Sequence, residues 1–243
     1  MPTSLHVIIP AAGIGQRMQH HRPKQYLPLA GSTVLECTLQ RLRQALPDTL
    51  LHVMLHPEDR GWANTDCAED PTIVPVTGGA SRAESVRLGL AALAPLAGAD
   101  DWVLVHDVAR PCVTVADIHR LLVMLAEHPV GGLLATPVTD TLKQVGDGHL
   151  VTATVDRSRL WRALTPQMFR YGLLSQALEQ GAQLGWQVTD EASALEQAGH
   201  HPLVVPGRGD NLKVTLPEDL ALAHWLLSRQ NSSSNDHLPQ TQE

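Results

Sequence analysis

Between Pro10 and Met18 the chain reads Pro-Ala-Ala-Gly-Ile-Gly-Gln-Arg-Met. The small residues Ala11, Ala12, Gly13 and Gly15 let a backbone approach a ligand closely, and glycine reaches conformations closed to other residues. Amides that open a helix point into an anion site. Arg17 then stands where it can reach a phosphate. The segment is not a Walker loop, since G-x-x-x-x-G-K-[ST] is absent. It is also a poor dinucleotide fingerprint, because Met18 occupies the third glycine position. Glycines alone leave a plain strand-to-helix turn, with no ligand, as an equal reading.

Shortly afterwards comes Arg22-Pro23-Lys24-Gln25, and Lys24 is one of only three lysines in the chain, with Lys143 and Lys213. A compact ammonium on a proline-stiffened loop beside an anion site can balance phosphate charge during transfer; otherwise it is an ordinary surface lysine. In Val105-His106-Asp107-Val108-Ala109-Arg110, Asp107 follows an apolar run and falls at the carboxyl edge of a sheet, where open α/β folds bind ligands. Asp107 can hold a divalent cation that bridges phosphates, or simply cap a turn. Arg110 can meet a phosphate or form a structural ion pair. His106 has the alternation of a buried core histidine and is not assigned as a base. The loop Gly78-Gly79-Ala80-Ser81-Arg82-Ala83-Glu84-Ser85 puts Arg82 and Ser85 in a first helical turn, facing a base, ribose or phosphate. Ser81 is explained as a cap alone. Arg157 and Lys213 are candidates for a second substrate's phosphate. No H-x-x-H, H-E-x-x-H or Cys/His cluster suggests zinc.

These residues need elements to hold them. His6–Pro10, Leu50–Leu55, Thr72–Val76, Trp102–His106, Gly131–Pro137 and Pro202–Val205 read as strands. Helices are expected from Thr33 (capping box with Glu36), from Ser81 (box with Glu84), and over 114–127, 170–180 and 190–197. In the last of these Thr189 is the cap and Gly199 the stop. Thr215 caps a final helix with Pro217 in its first turn. Strand and helix alternate, so the expected fold is α/β: Rossmann-like, a mostly parallel sheet with helices on both faces. Thr139–Val145, a Gly-Asp-Gly turn and Leu150–Val155 instead read as a polar hairpin. Residues 138–160 are taken as a protruding arm used in dimerisation, since a lone hairpin needs a partner. Residues 1–230 form one domain, and the polar stretch 231–243 reads as a disordered tail.

The chain has 243 residues, 43% of them hydrophobic, and a formal charge of −7. That balance excludes a broad nucleic-acid surface while allowing a local basic pocket. No apolar run is long enough to span a membrane. The cysteines Cys37, Cys67 and Cys112 make no C-x-x-C pair, and no basic-plus-apolar leader is visible. A soluble cytoplasmic protein is the natural expectation.

Taken together, PAAGIGQRM, RPKQYL, GGASRAESV, VLVHDVARPC, TDTLK, TVDR, LTPQ, TDEASALE and GRGDNLKVTLPEDL, in that order, closely resemble the 2-C-methyl-D-erythritol 4-phosphate cytidylyltransferases, within the wider sugar-nucleotidyltransferase group. The resemblance runs from about His6 to Ser228. It implies transfer of CMP from CTP to the phosphate of methylerythritol phosphate, with release of pyrophosphate and use of Mg²⁺. It implies that Arg17 and Lys24 stabilise the triphosphate and the charge at its α-phosphorus. Ala11, Ala12, Gly13, Gly15, Gly79, Arg82 and Ser85 would line the nucleotide pocket, and Asp107 would match the acidic residue of the magnesium-dependent site. Arg110, Thr141, Arg157, Thr189 and Lys213 would surround the polyol phosphate. Catalysis would rest on Arg17, Lys24, Arg157 and Lys213. It further implies a homodimer with exchanged hairpin arms, so that Thr141 and Arg157 serve the neighbouring subunit. Gln16 and Val108 depart from the residues common at those positions.

Other readings share parts of this pattern. A cytidylyltransferase for ribitol 5-phosphate would keep the loop chemistry and change the acceptor pocket. A nicotinamide enzyme is disfavoured by Met18. A CTP-binding regulatory dimer predicts binding without turnover.

Overall fold

The computed structural model describes residues 4–13 and 22–235, with side chains up to 231. Gly15, Gln16 and Arg17 lie outside the described residues.

The apolar runs form a sheet of seven strands. These are β1 (Leu5–Pro10), β4 (Leu51–Leu55), β5 (Ile73–Thr77), β6 (Trp102–Val105), β7 (Gly131–Pro137), β10 (Trp161–Arg170) and β11 (Leu203–Pro206). Two short strands, β2 (Pro28–Leu29) and β3 (Ser32–Thr33), pair separately, as do β8 (Leu142–Val145) and β9 (Val151–Val155). The spatial order is β11-β7-β10-β6-β1-β4-β5. All neighbours run parallel except β10, which is antiparallel to both β6 and β7.

Alternation along each strand divides the core. Val7, Ile9, Leu51, Val53 and Leu104 pack under α1 (Val34–Ala45) and α3 (Val115–Leu125). Ile8, Met54, Val103 and Val105 face α2 (Arg82–Leu93), α4 (Tyr171–Leu184) and α5 (Glu191–Gln197). Helices therefore cover both faces, as expected, and each fully buried Leu, Ile or Phe contributes about 1.5–3 kcal/mol. The last helix, α6 (Pro217–Asn235), packs Ala223, Leu226 and Leu227 on Val34, Cys112 and Val214. No described helix is long and apolar enough to cross a membrane.

Several local expectations are corrected. β10 is an additional strand beyond those expected. It carries Pro166 at a register break between Ala163 and Gln167, so neither strand periodicity nor composition announces it. Asp190, not Thr189, caps α5: its carboxylate accepts from Ser193 N at 2.9 Å, and it also receives Gln167 Nε2 at 2.8 Å. Thr215 does not cap α6 by accepting. Its N–H and hydroxyl both donate to Asp219, at 2.8 and 2.9 Å. At α2 only half of the box forms. Ser81 accepts from Glu84 N, while the Glu84 carboxylate turns to Ala80 N at 2.8 Å. Residues 231–235, expected to belong to a disordered tail, continue α6 as helix. Just before them, Gln230 is tied to the Cys112 carbonyl at 3.1 Å.

The hairpin is present. β8 and β9 are antiparallel, turn through Gly148 at φ 68°, and leave Val145, Leu150 and Val151 exposed. An unpartnered two-stranded ribbon with apolar residues in water is marginal by itself.

Candidate active site

From β1 the chain steps to β4 and β5 on one side, then returns to β6 on the other. The carboxyl ends of β1 and β6 thus flank a topological switch point, the place where open α/β sheets form a crevice. The loop after β1 supplies Ala11, Ala12 and Gly13; the end of β6 supplies Asp107.

The first cavity in this crevice is bounded by Ala11, Ala12 and Gly13, by Lys24, and by Gly79 and Ser85 across from them. Its walls are close. A Cβ on Gly78 would stand 2.8 Å from Ala12 Cβ, and one on Gly79 would collide with the Glu84 side chain. Gly13 is different. It is not among the positive-φ glycines, and a Cβ there would meet nothing within 4 Å among the described residues. Ser85 is buried; its Oγ accepts from Gly79 N at 3.1 Å and donates to Ser81 O at 2.8 Å, which fixes the Gly79 loop. Lys24 Nζ lies 3.4 Å from the Val214 carbonyl. Beside it, Gln25 is buried with Nε2 on Ala11 O at 2.9 Å, while its Oε1 has no hydrogen-bond partner among the described residues.

A second cavity adjoins the first and is lined by Arg110, Thr165, Gln167 and Thr189. Arg82, Asp107 and Lys213 line both. They form the wall between the two spaces. Arg82 Nε donates to Asp107 Oδ1 at 2.7 Å, and Lys213 Nζ lies 2.7 Å from Asp107 Oδ2. Arg110 Nε sits 3.9 Å from the same Oδ2, is buried, and has no hydrogen-bond partner among the described residues. Burial would raise the Asp107 carboxyl, but Arg82 and Lys213 hold it far below the usual carboxylate range. Burial would likewise lower the Arg82 guanidinium, and Glu191 with Asp107 reverses this and raises it. Arg110 is shifted down by burial, with Asp107 opposing.

Behind this wall both ring nitrogens of His106 are engaged. His106 Nε2 faces the Arg110 carbonyl at 3.1 Å, and a carbonyl can only accept. Nε2 therefore carries the proton, and Nδ1 accepts from the Thr165 hydroxyl at 3.0 Å. Thr165 Oγ1 in turn accepts from Asp107 N at 3.1 Å. Burial pushes the His106 imidazole down to about 4. It is a strut between β6 and β10, in keeping with its alternation in the sequence.

The structure thus assembles Ala11, Ala12, Gly13, Lys24, Gly79, Arg82, Ser85, Asp107 and Lys213 around the first cavity. Arg110 and Thr189 join the second. Thr141 and Arg157 stand apart on the arm, in neither cavity, with Arg157 Nη1 3.3 Å from Thr141 Oγ1. The site holds residues not singled out from sequence: Gln25, Thr165, Gln167, Glu191 and Asn211. Only their presence inside RPKQYL, LTPQ, TDEASALE and GRGDNLK hinted at them.

Among the described residues no three His, Cys, Asp or Glu side chains converge on a metal site. The wall offers one carboxylate, already bonded to two cations. It suits only a divalent ion whose other ligands are phosphate oxygens and water.

The family model for 2-C-methyl-D-erythritol 4-phosphate cytidylyltransferase matches residues 5–229. The chain belongs to that family. It is 48% identical over 225 residues to the 2-C-methyl-D-erythritol 4-phosphate cytidylyltransferase of Hahella chejuensis, covering 93% of each chain. The Yersinia pseudotuberculosis enzyme of the same name is 47% identical over 232 residues, 95% of each. Among solved structures, a 4-diphosphocytidyl-2C-methyl-D-erythritol synthase superposes with a TM-score of 0.80 at 40% identity, covering 93% of this chain and 99% of that one. The Francisella tularensis cytidylyltransferase gives 0.79 at 38%, covering 92% and 100%. The Rossmann-like, mostly parallel α/β fold expected from the strand–helix pattern is therefore the fold observed.

Proposed function

We propose that the chain transfers CMP from CTP to 2-C-methyl-D-erythritol 4-phosphate, giving 4-diphosphocytidyl-2-C-methyl-D-erythritol and pyrophosphate. The observation that carries this reading is the shared wall: two cavities meet at Arg82, Asp107 and Lys213. A reaction that joins two phosphorylated substrates needs such a junction. CTP occupies the cavity of the β1 loop, with its phosphates toward Lys24 and its nucleoside along Gly79 and Ser85. The polyol phosphate occupies the cavity of Arg110 and Thr189, where Arg110 Nε is a buried donor without a hydrogen-bond partner among the described residues.

The acceptor phosphate is anionic at neutral pH, so no side chain need remove a proton. One of its oxygens attacks the α-phosphorus in line, the bond from that phosphorus to the bridging oxygen breaks, and pyrophosphate leaves with the electron pair. The chain's task is to bring two anions together and hold the spread charge, which positioned cations and amides accomplish. Lys24, Lys213, Arg110 and Arg17 serve as those cations. His106 takes no part, since both its nitrogens are occupied. A Mg²⁺ ion carried by the triphosphate would rest on Asp107 and neutralise phosphate oxygens.

Thr141 and Arg157 complete the acceptor pocket of a second copy, through hairpins exchanged in a homodimer. The exposed Val145, Leu150 and Val151 on the arm supply the apolar surface for that exchange. Three free cysteines fit a reducing, cytoplasmic setting.

Pyrophosphate release is measured with CTP, ATP and UTP as donors, against methylerythritol phosphate and ribitol 5-phosphate as acceptors. Release with CTP and methylerythritol phosphate is expected. Release with ribitol phosphate alone would overturn the acceptor assignment, and CTP binding without any release would make the protein a nucleotide-binding dimer.

A further inference from the structure

Glu191 is the first residue of α5 and is 1% exposed. A buried carboxylate requires a partner, because removing it from water costs several kcal/mol. Its partner is Arg82. Oε1 receives Nη1 at 2.7 Å and Oε2 receives Nη2 at 2.9 Å, a two-pronged pairing that fixes the guanidinium plane. With Nε on Asp107, Arg82 commits three of its five N–H donors to two carboxylates.

Glu191 is itself held. Gln167, on β10, donates to the Asp190 carboxylate at 2.8 Å and accepts from Ala192 N at 2.9 Å. The start of α5 is therefore fixed to the central sheet on both sides of Glu191. Lys213 differs from Arg82. Asp107 is the only carboxylate with which it pairs among the described residues, and its side chain is 37% exposed against 26% for Arg82.

We propose that Glu191 is a positioning residue of the transferase site. It brackets Arg82 between two carboxylates, so that Arg82 aims Asp107 and is not drawn onto a phosphate, and Lys213 is left as the cation that substrates recruit. This rests on the functional reading above and deepens it. Arg82, though it lines both cavities, serves as a beam rather than a phosphate ligand. A guanidinium released from Glu191 would follow the nearest phosphate, strengthening ground-state binding while misplacing Asp107. Such a change lowers turnover without weakening substrate capture.

The test is a kinetic cycle on the full chain, using CTP and methylerythritol phosphate with E191Q, R82M and R82M/E191Q. The amide introduced by E191Q keeps one acceptor and turns an N–H₂ group toward an Arg82 donor, so the bracket breaks with little change of volume. E191Q is expected to lose about 10- to 100-fold in kcat, the scale of a misplaced reacting group, with no rise in KM for CTP. If Glu191 acts only through Arg82, the double variant turns over at the rate of R82M. It also melts higher than R82M, which keeps an unpaired buried carboxylate. Should E191Q fail to fold, the comparison of R82M with the double variant still decides. Slower turnover by the double variant would show that Glu191 acts outside Arg82 and would overturn the proposal. Wild-type kcat in E191Q overturns it too. Absence of turnover by the unsubstituted chain overturns the functional reading, and the positioning role with it.

Discussion

Lys213 Nζ stands 2.7 Å from Asp107 Oδ2, joining the loop before α6 to the carboxyl end of β6. The pair lies on the wall between the two cavities. With the two substrates seated as proposed, a lysine there would meet the acceptor phosphate and the α-phosphate together. Replacing it by methionine keeps the stem and removes the charge. We expect Lys213→Met to lose about 10²- to 10³-fold in kcat, the usual scale for one positioned electrostatic donor. Steady-state kinetics, with circular dichroism to verify the fold, give the result. A loss below about threefold would remove Lys213 from the transfer step.

Lys24 should behave alike for a different reason. It follows Pro23 in a short 3-10 turn beside the β1 loop, with Nζ 3.4 Å from the Val214 carbonyl. Its side chain is half-buried and lines the first cavity rather than the core, so Lys24→Ala should leave the melting temperature within a few degrees. Turnover should fall by about 10²-fold or more. Near-normal turnover would show that the triphosphate is neutralised elsewhere.

The two lysines are legible in sequence because lysine is scarce here and each lies near a glycine-rich or acidic turn. The sheet is legible because parallel strands buried on both faces are written as apolar runs. β10 is not, since its Pro166 and mixed composition resemble a loop. Its identity comes from pairing with β6 and β7 on either side, a tertiary fact. Glu191 is hidden for the same kind of reason. Inside TDEASALE it reads as a first-turn acid favouring a helix start, and only the fold brings Arg82 to it. The Asp107 wall is half visible: strand-end position flags the carboxylate, but not that Arg82, Arg110 and Lys213 surround it.

His106 predicts a pH signature in stability. The imidazole is buried and neutral, pushed down to about 4, while in the unfolded chain it titrates near 6.5. As pH falls below about 6.5 the unfolded state takes up a proton that the native state refuses. The contribution is therefore fully present above about pH 6.5 and is lost as pH falls toward about 4. Between about pH 7 and pH 5 the loss from this one group is about 2 kcal/mol. Urea unfolding at the two pH values should show His106→Gln less stable at the higher one, with the difference shrinking at the lower. A difference that stays constant would mean that His106 does not titrate in this way.

The arm yields the sharpest test of assembly. Arg157 and Thr141 bond to each other on the hairpin and touch neither cavity of their own chain. If each arm serves its partner, Lys24→Ala and Arg157→Ala damage different subunits' contributions to one site. Each homodimer alone should be nearly inactive. After subunit exchange in an equal mixture, about half of the dimers are mixed. In each of these, one site pairs an intact Lys24 core with an intact Arg157 arm. About a quarter of all sites should therefore recover, an outcome set by two-fold symmetry alone. Exchange is verified by mass spectrometry of isotopically labelled chains, and pyrophosphate release is then measured. Full exchange without recovered activity would place Arg157 outside the partner's site and leave the hairpin an assembly element only.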